Sequence, residues 1–162
     1  MLVMVVGVYF NASAVGSKGG DGGSGINGNL ICNGNNNITI TAGFGNRLSL
    51  EGYNSTVGKA GSGVTGNVIV KNSTQLTISG GGKWTASNVD GYGIGGYLKA
   101  YGDSVVTVSG GEGQVGSLNK GDGGTGVNGD VSLYDNSILV CTGGKGGDAS
   151  TGKYGGRIRK WW

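Results

Sequence analysis

Four segments of the chain lie over one another without a gap: residues 25–43, 63–81, 93–111 and 126–144. Each opens G-[IV]-x-G. Each places apolar or small residues at its sixth and eighth positions and again at its fourteenth and sixteenth, and ends in glycine. The starting glycines are 25, 63, 93 and 126, so the spacings are 38, 30 and 33 residues. A period in this range is the mark of a stacked repeat, in which each unit buries its apolar face only against its neighbours.

The local pattern says what is stacked. Leu30 and Cys32 alternate with polar or exposed positions, and so do Ile38 and Ile40. Their counterparts are Val68/Val70 with Leu76/Ile78, Leu98/Ala100 with Val106/Val108, and Val131/Leu133 with Leu139/Cys141. A period of two over runs this short predicts strands. A corner separates the two strands of each repeat: Gly34-Asn35-Asn36, Asn72-Ser73-Thr74, Gly102-Asp103-Ser104 and Asp135-Asn136-Ser137. These residue types tolerate left-handed and tight-turn backbone. A third strand is expected in the return segments, at Arg47–Leu50 and Lys83–Ala86, with a weaker one at Gln114–Leu118. Like residues then stack in columns at about 4.8 Å per level.

Composition agrees. Glycine supplies 40 of 162 residues, against roughly 7% in ordinary proteins, yet Val, Ile and Leu return too regularly for a low-complexity chain. The net charge of +3 is spread over mixed signs, and the only basic run is Arg157-Ile-Arg159-Lys160. A nucleic-acid partner is not expected. Cys32 and Cys141 fall in columns otherwise filled by apolar side chains, so they read as small buried hydrophobes. Two cysteines and no histidine exclude a standard zinc site.

The chain reads as a single domain in three parts. Residues 1–18 open with an apolar run, MLVMVVGVYF, followed by Ala12-Ser13-Ala14. That resembles a signal peptide, but it lacks a positive leader. Its Val and aromatic content favours an edge strand. It is too short for a membrane helix, so no membrane insertion is expected. Residues 19–144 carry the repeats. Residues 145–162 break the pattern and read as a cap or partial repeat. The ends of such a stack expose unpaired strand edges, so the tail covers one, copies associate end to end, or the chain belongs to a longer array.

Candidate functional residues lie on the outward positions. With Leu98 and Ala100 inward, Tyr97, Lys99 and Tyr101 face out. With Leu133 inward, Tyr134 faces out in the column of Tyr101, and Lys71 stands below. Flat aromatic faces beside polar groups suit sugar rings; a plain tyrosine ladder is the simpler alternative. Trp84 and Tyr92 extend the patch if the preceding loop folds over it. Asp103 and Asp135 occupy neighbouring corners with Asp130 nearby, and the three are weak candidates for calcium, with capped corners the favoured reading; no other cofactor is implied. Thr39, Thr41, Thr77, Ser79, Thr107, Ser109 and Thr142 form two outward hydroxyl columns, interrupted by Val140, that resemble an ice-binding face; threonine also simply suits exposed strands. Without histidine no Ser-His-Asp or Cys-His catalyst is possible.

The stretch G-Y-G-I-G-G-Y-L-K-A-Y-G-D-S-V-V-T-V-S-G-G (residues 91–111) and T-I-S-G-G-G (residues 77–82) resemble the Gly-rich repeats of secreted bacterial surface proteins. Those proteins have a right-handed parallel β-helix, the pectin-lyase-like architecture. The resemblance implies an all-β solenoid of about four rungs, secreted or held at the cell surface. It spans adhesins, polysaccharide-binding modules, tailspikes and lyases. The expected function is therefore a non-enzymatic carbohydrate-binding or adhesion module, with a polysaccharide or surface glycan as partner. A structural stalk segment is the alternative, followed by a lyase-like enzyme. The calcium-binding nonapeptide repeat does not fit: Asn27 and Asn128 stand where it needs aspartate.

Overall fold

The computed structural model describes residues 2–6, 21–45, 58–82, 91–113, 122–146 and 158–161. These residues are all-β, with no helix among them. Among the described residues ten strands alternate between two sheets. β1 (Leu2–Val6), β3 (Asn37–Thr41), β5 (Gln75–Ser79), β7 (Val105–Ser109) and β9 (Ile138–Thr142) form one sheet in that order. The other contains β2 (Leu30–Asn33), β4 (Val68–Lys71), β6 (Leu98–Ala100), β8 (Val127–Leu133) and β10 (Ile158–Trp161), again in sequence order. Every pairing is parallel.

The register follows the repeat. Leu30, Val68, Leu98 and Val131 are partners in turn, as are Ile40, Ile78, Val108 and Cys141. In the middle repeats these side chains are sealed: Val68, Val70, Leu98, Ala100, Val106 and Val108 are fully buried. At the ends the cover is uneven: Cys32, Ile40 and Val131 stay buried, and the others, where no further described repeat lies beyond, do not. Leu30, Ile38, Leu139 and Cys141 are half-buried. Leu133 was expected to point into the core. Instead it is 43% exposed, because β10 ends opposite Val131 and no described strand covers the next core position.

A further inner column comes from the G-[IV]-x-G opening. Ile26, Val64, Ile94 and Val127 form a parallel ladder of single bridges, and the last three are fully buried. The second position of the motif is thus a core position that the strand alternation alone did not assign.

The corners match the expectation of left-handed backbone. Asn72 and Asp135 have φ of 60° and 57°, and Gly34 and Gly102 have 102° and 69°. All four share one place in the repeat. Below the second corner the Thr74 hydroxyl, fully buried, donates to the carbonyls of Gly34 (2.6 Å) and Lys71 (3.1 Å), whereas the Ser104 hydroxyl, at the same place in the third repeat, is buried without a hydrogen-bond partner. Asparagine side chains link levels elsewhere. Asn29 Oδ1 accepts from the Asn67 amide at 2.8 Å, and Asn67 Oδ1 from the Tyr97 amide at 3.0 Å.

Glycine has a packing role between the repeats. The column Gly43, Gly81, Gly111, Gly144 lies directly against the column Gly23, Gly61, Gly91, Gly124. Backbone hydrogen bonds cross between them: Gly43 N–H to Gly23 O, Gly61 to Gly43, Gly81 to Gly61, Gly111 to Gly91, Gly124 to Gly111 and Gly144 to Gly124, at 2.7–3.1 Å. A Cβ on Gly111 would land on the Gly81 carbonyl, and one on Gly144 on the Gly111 carbonyl. Two backbones approach here with no room for a side chain, so this column excludes every other residue.

Trp84 and the three suggested return strands (Arg47–Leu50, Lys83–Ala86, Gln114–Leu118) lie outside the described residues. Residues 2–6 form the edge strand β1, paired with β3. Cys32 and Cys141 sit in different sheets and form no disulfide; Cys32 is 3% exposed.

Candidate functional site

The outward face of the β2–β10 sheet carries the four predicted residues, but splits them into two groups. Tyr101 and Tyr134 follow β6 and β8 directly, and the Tyr134 amide donates to the Ala100 carbonyl at 2.9 Å. This holds the two chains one level apart, and the rings stack with centroids 4.5 Å apart and planes within 5°. Lys71 closes the other side, its Nζ 6.0 Å from the Tyr101 centroid. The column Lys71–Tyr101–Tyr134 is therefore a continuous stack. Tyr101 is half-buried within it, and Tyr134 at its end is 44% exposed.

Tyr97 and Lys99 form the second group. The Lys99 Nζ lies 5.3 Å from the Tyr97 ring centroid, a cation–π pair. Both are half-buried. By register Tyr97 belongs with Asp130, and Lys99 with Ile69 and Ser132. Ile31, in the same column as Lys99, is 68% exposed. That apolar outward residue marks the face and was not singled out from the sequence. Tyr92 is half-buried, and its carbonyl accepts the Gly63 amide at 2.9 Å.

The acidic corner residues work locally. Asp135 Oδ2 accepts the Gly102 amide at 2.9 Å. Asp103 Oδ1 accepts from the Asn136 side chain at 3.1 Å. Asp103, Asp130 and Asp135 are all exposed. Among the described residues no three of His, Cys, Asp and Glu come together as a metal-binding group. The corner nonetheless brings Asn136, Asp103 and Asp135 beside the end of the tyrosine stack, and these groups bind hydroxyls well.

The two hydroxyl columns lie on the outer side of the β1–β9 sheet. In one, Thr77 and Thr107 are exposed and Val140 is 51% exposed. In the other, Ser79 and Ser109 bond to each other at 3.2 Å. This second column borders an open groove of about 640 Å³, lined by Phe44, Ser79, Ser109, Glu112, Thr142 and Lys145 together with glycines. Phe44, Gly82, Glu112 and Lys145 occupy the position just after each repeat's closing glycine. There the repeat stops being regular, which is the signal that could have located the groove. Burial pushes the Cys32 thiol above its ordinary ionisation range. No described helix is long and apolar enough to cross a membrane. No family model matches the chain, and the searches of curated proteins and of solved structures gave no match.

Proposed function

We propose that this chain is a segment of right-handed parallel β-helix, about four turns long, that acts outside the cell as a non-enzymatic carbohydrate-binding or adhesion module. The solenoid reading is supported by strict alternation of strands between two parallel sheets and by in-register stacking of each repeat on the last. The binding reading rests on one observation. Tyr134 ends a stack whose inner face is filled by Tyr101, while the residue remains 44% exposed beside the exposed corner groups Asp103, Asp135 and Asn136. A sugar ring laid on Tyr134 would place its hydroxyls against those acceptors and donors. Tyr97, Lys99 and Tyr101 hold this face in shape and extend it along the sheet.

A glycan array probed with the purified chain, with calcium and with a chelator, tests this reading. Binding to a defined polysaccharide is expected, lost in Tyr134→Ala and retained in Tyr97→Phe. Binding that vanishes with the chelator would assign calcium to the Asp103–Asp135 corner. Absence of binding in both conditions would favour the second reading, a structural stalk of a surface protein. One observation favours that reading: both faces of the Tyr101 ring are already covered by Lys71 and Tyr134. A lyase would reveal itself by unsaturated uronate products from pectate or alginate.

A further inference from the structure

The two sheets do not end level. One sheet runs β1-β3-β5-β7-β9 and the other β2-β4-β6-β8-β10. At one end of the stack β1 overhangs the first repeat, while no described strand pairs with the outer edge of β2. At the other end β10 overhangs the fourth repeat, while no described strand pairs with the outer edge of β9. The overhangs lie on opposite sheets, so each has the shape of the notch at the other end.

From this we infer that the chain associates head to tail with further copies of itself. β1 of one copy pairs with β9 of the copy before it, and β10 of that copy pairs with β2 of the next. One strand from each molecule then makes up a single shared level. Polarity is preserved, because β1 already runs parallel to β3, and through it to β9. Both sheets continue without a gap, at about 4.8 Å per level.

The residue columns support the fit. By register, two columns of the β1–β9 sheet that are polar or mixed through its middle have apolar residue types at both ends. One column reads Leu2, Asn37, Gln75, Val105, Ile138, and the next Met4, Thr39, Thr77, Thr107, Val140. Ile138 and Val140 are 55% and 51% exposed, although their strand is an edge. Exposed apolar residues on an open edge are what isolated sheets avoid and what pairing sheets use. In the proposed joint Ile138 comes into register with Leu2 of the next copy, and Val140 with Met4. The half-buried core residues Leu139 and Cys141 come into register with Val3 and Val5. A joint of unlike ends that does not rotate back on itself propagates into an open filament.

Sedimentation velocity on the 162-residue chain tests the inference. Species heavier than the 16.1 kDa monomer are expected, growing with concentration. Ile138→Lys with Val140→Lys blocks one end, and Leu2→Lys with Met4→Lys blocks the other. Each double variant alone is expected to be monomeric, with unchanged β-sheet circular dichroism confirming that it is folded. Mixed in equal amounts, the two are expected to give a dimer that grows no further, because one intact end of each kind remains. A wild-type chain that stays monomeric at several hundred micromolar overturns the proposal. So do oligomers that survive in either folded variant, or a mixture that stays monomeric. None of these results depends on glycan binding.

Discussion

The rings of Tyr101 and Tyr134 lie face to face, centroids 4.5 Å apart and planes 5° from parallel, although the residues are 33 positions apart in sequence. The sheet sets this distance, since partners on adjacent parallel strands are held about one strand spacing apart. Aromatic pairs contribute about 0.5–1.5 kcal/mol beyond area burial. A double-mutant cycle with Tyr101→Ala and Tyr134→Ala, read by urea denaturation, should give a coupling of that size. Additive losses would mean that the rings are neighbours without mutual stabilisation.

The glycine columns carry a sharper prediction. Gly111→Ala places a methyl on the Gly81 carbonyl, and neither backbone has a flexible group to move aside. The loss should exceed about 4 kcal/mol, in the range reserved for specific structural faults. Gly28→Ala is the control. Its φ is 134° with nothing within 4 Å, so only backbone strain of about 1–3 kcal/mol applies. Thermal melts of the two variants should therefore differ widely; equal melts would show that the columns can separate without cost.

Position along the stack should decide the cost of core truncation. Leu98 is fully buried between neighbours on both sides, and Leu98→Ala should cost about 2–5 kcal/mol. Leu139 is half-buried in the last repeat, and Leu139→Ala should cost clearly less. Chemical denaturation at a concentration where the chain is monomeric gives the comparison. Equal losses would mean that the fourth repeat is as well covered as the third.

Cys32 links stability to pH. Burial raises its ionisation above the ordinary thiol range, so the unfolded chain gives up this proton first as pH rises. The neutral buried thiol therefore favours the folded state fully below the ordinary thiol pKa of about 8.5. Above it, stability falls until the buried thiol also ionises. The stability difference between pH 7 and pH 9.5 should shrink in Cys32→Val, which keeps an apolar side chain in the column of Val70. An unchanged difference would assign the pH dependence to other groups.

Buried carbonyls left without a donor would be as informative as a lost contact. Thr74→Val keeps the shape of a fully buried side chain but removes the donor to the Gly34 and Lys71 carbonyls. The cost of leaving such groups unpaired is about 1–3 kcal/mol. Denaturation of Thr74→Val should show a loss in that range, and a neutral result would mean that water replaces the hydroxyl.

Sequence alone determined the parts of this protein that repeat locally. Strand alternation around Leu98 and Ala100 follows from a period of two within a few residues. The left-handed corners at Asn72 and Asp135 follow from residue type, and the Lys71–Tyr101–Tyr134 column follows from superposing the repeats. Tertiary structure decided everything that depends on which repeat has a neighbour and what faces it. Leu133 has the same pattern as Ala100 but is exposed, because β10 stops opposite Val131. Ile26, Val64, Ile94 and Val127 become a core ladder only once the repeats are stacked. Gly91 and Gly111 meet because the chain returns on itself, and the β1 and β10 overhangs fall on opposite sheets for the same reason. A residue's preference is written in its own chemistry, but its burial is a property of the surface that arrives above it.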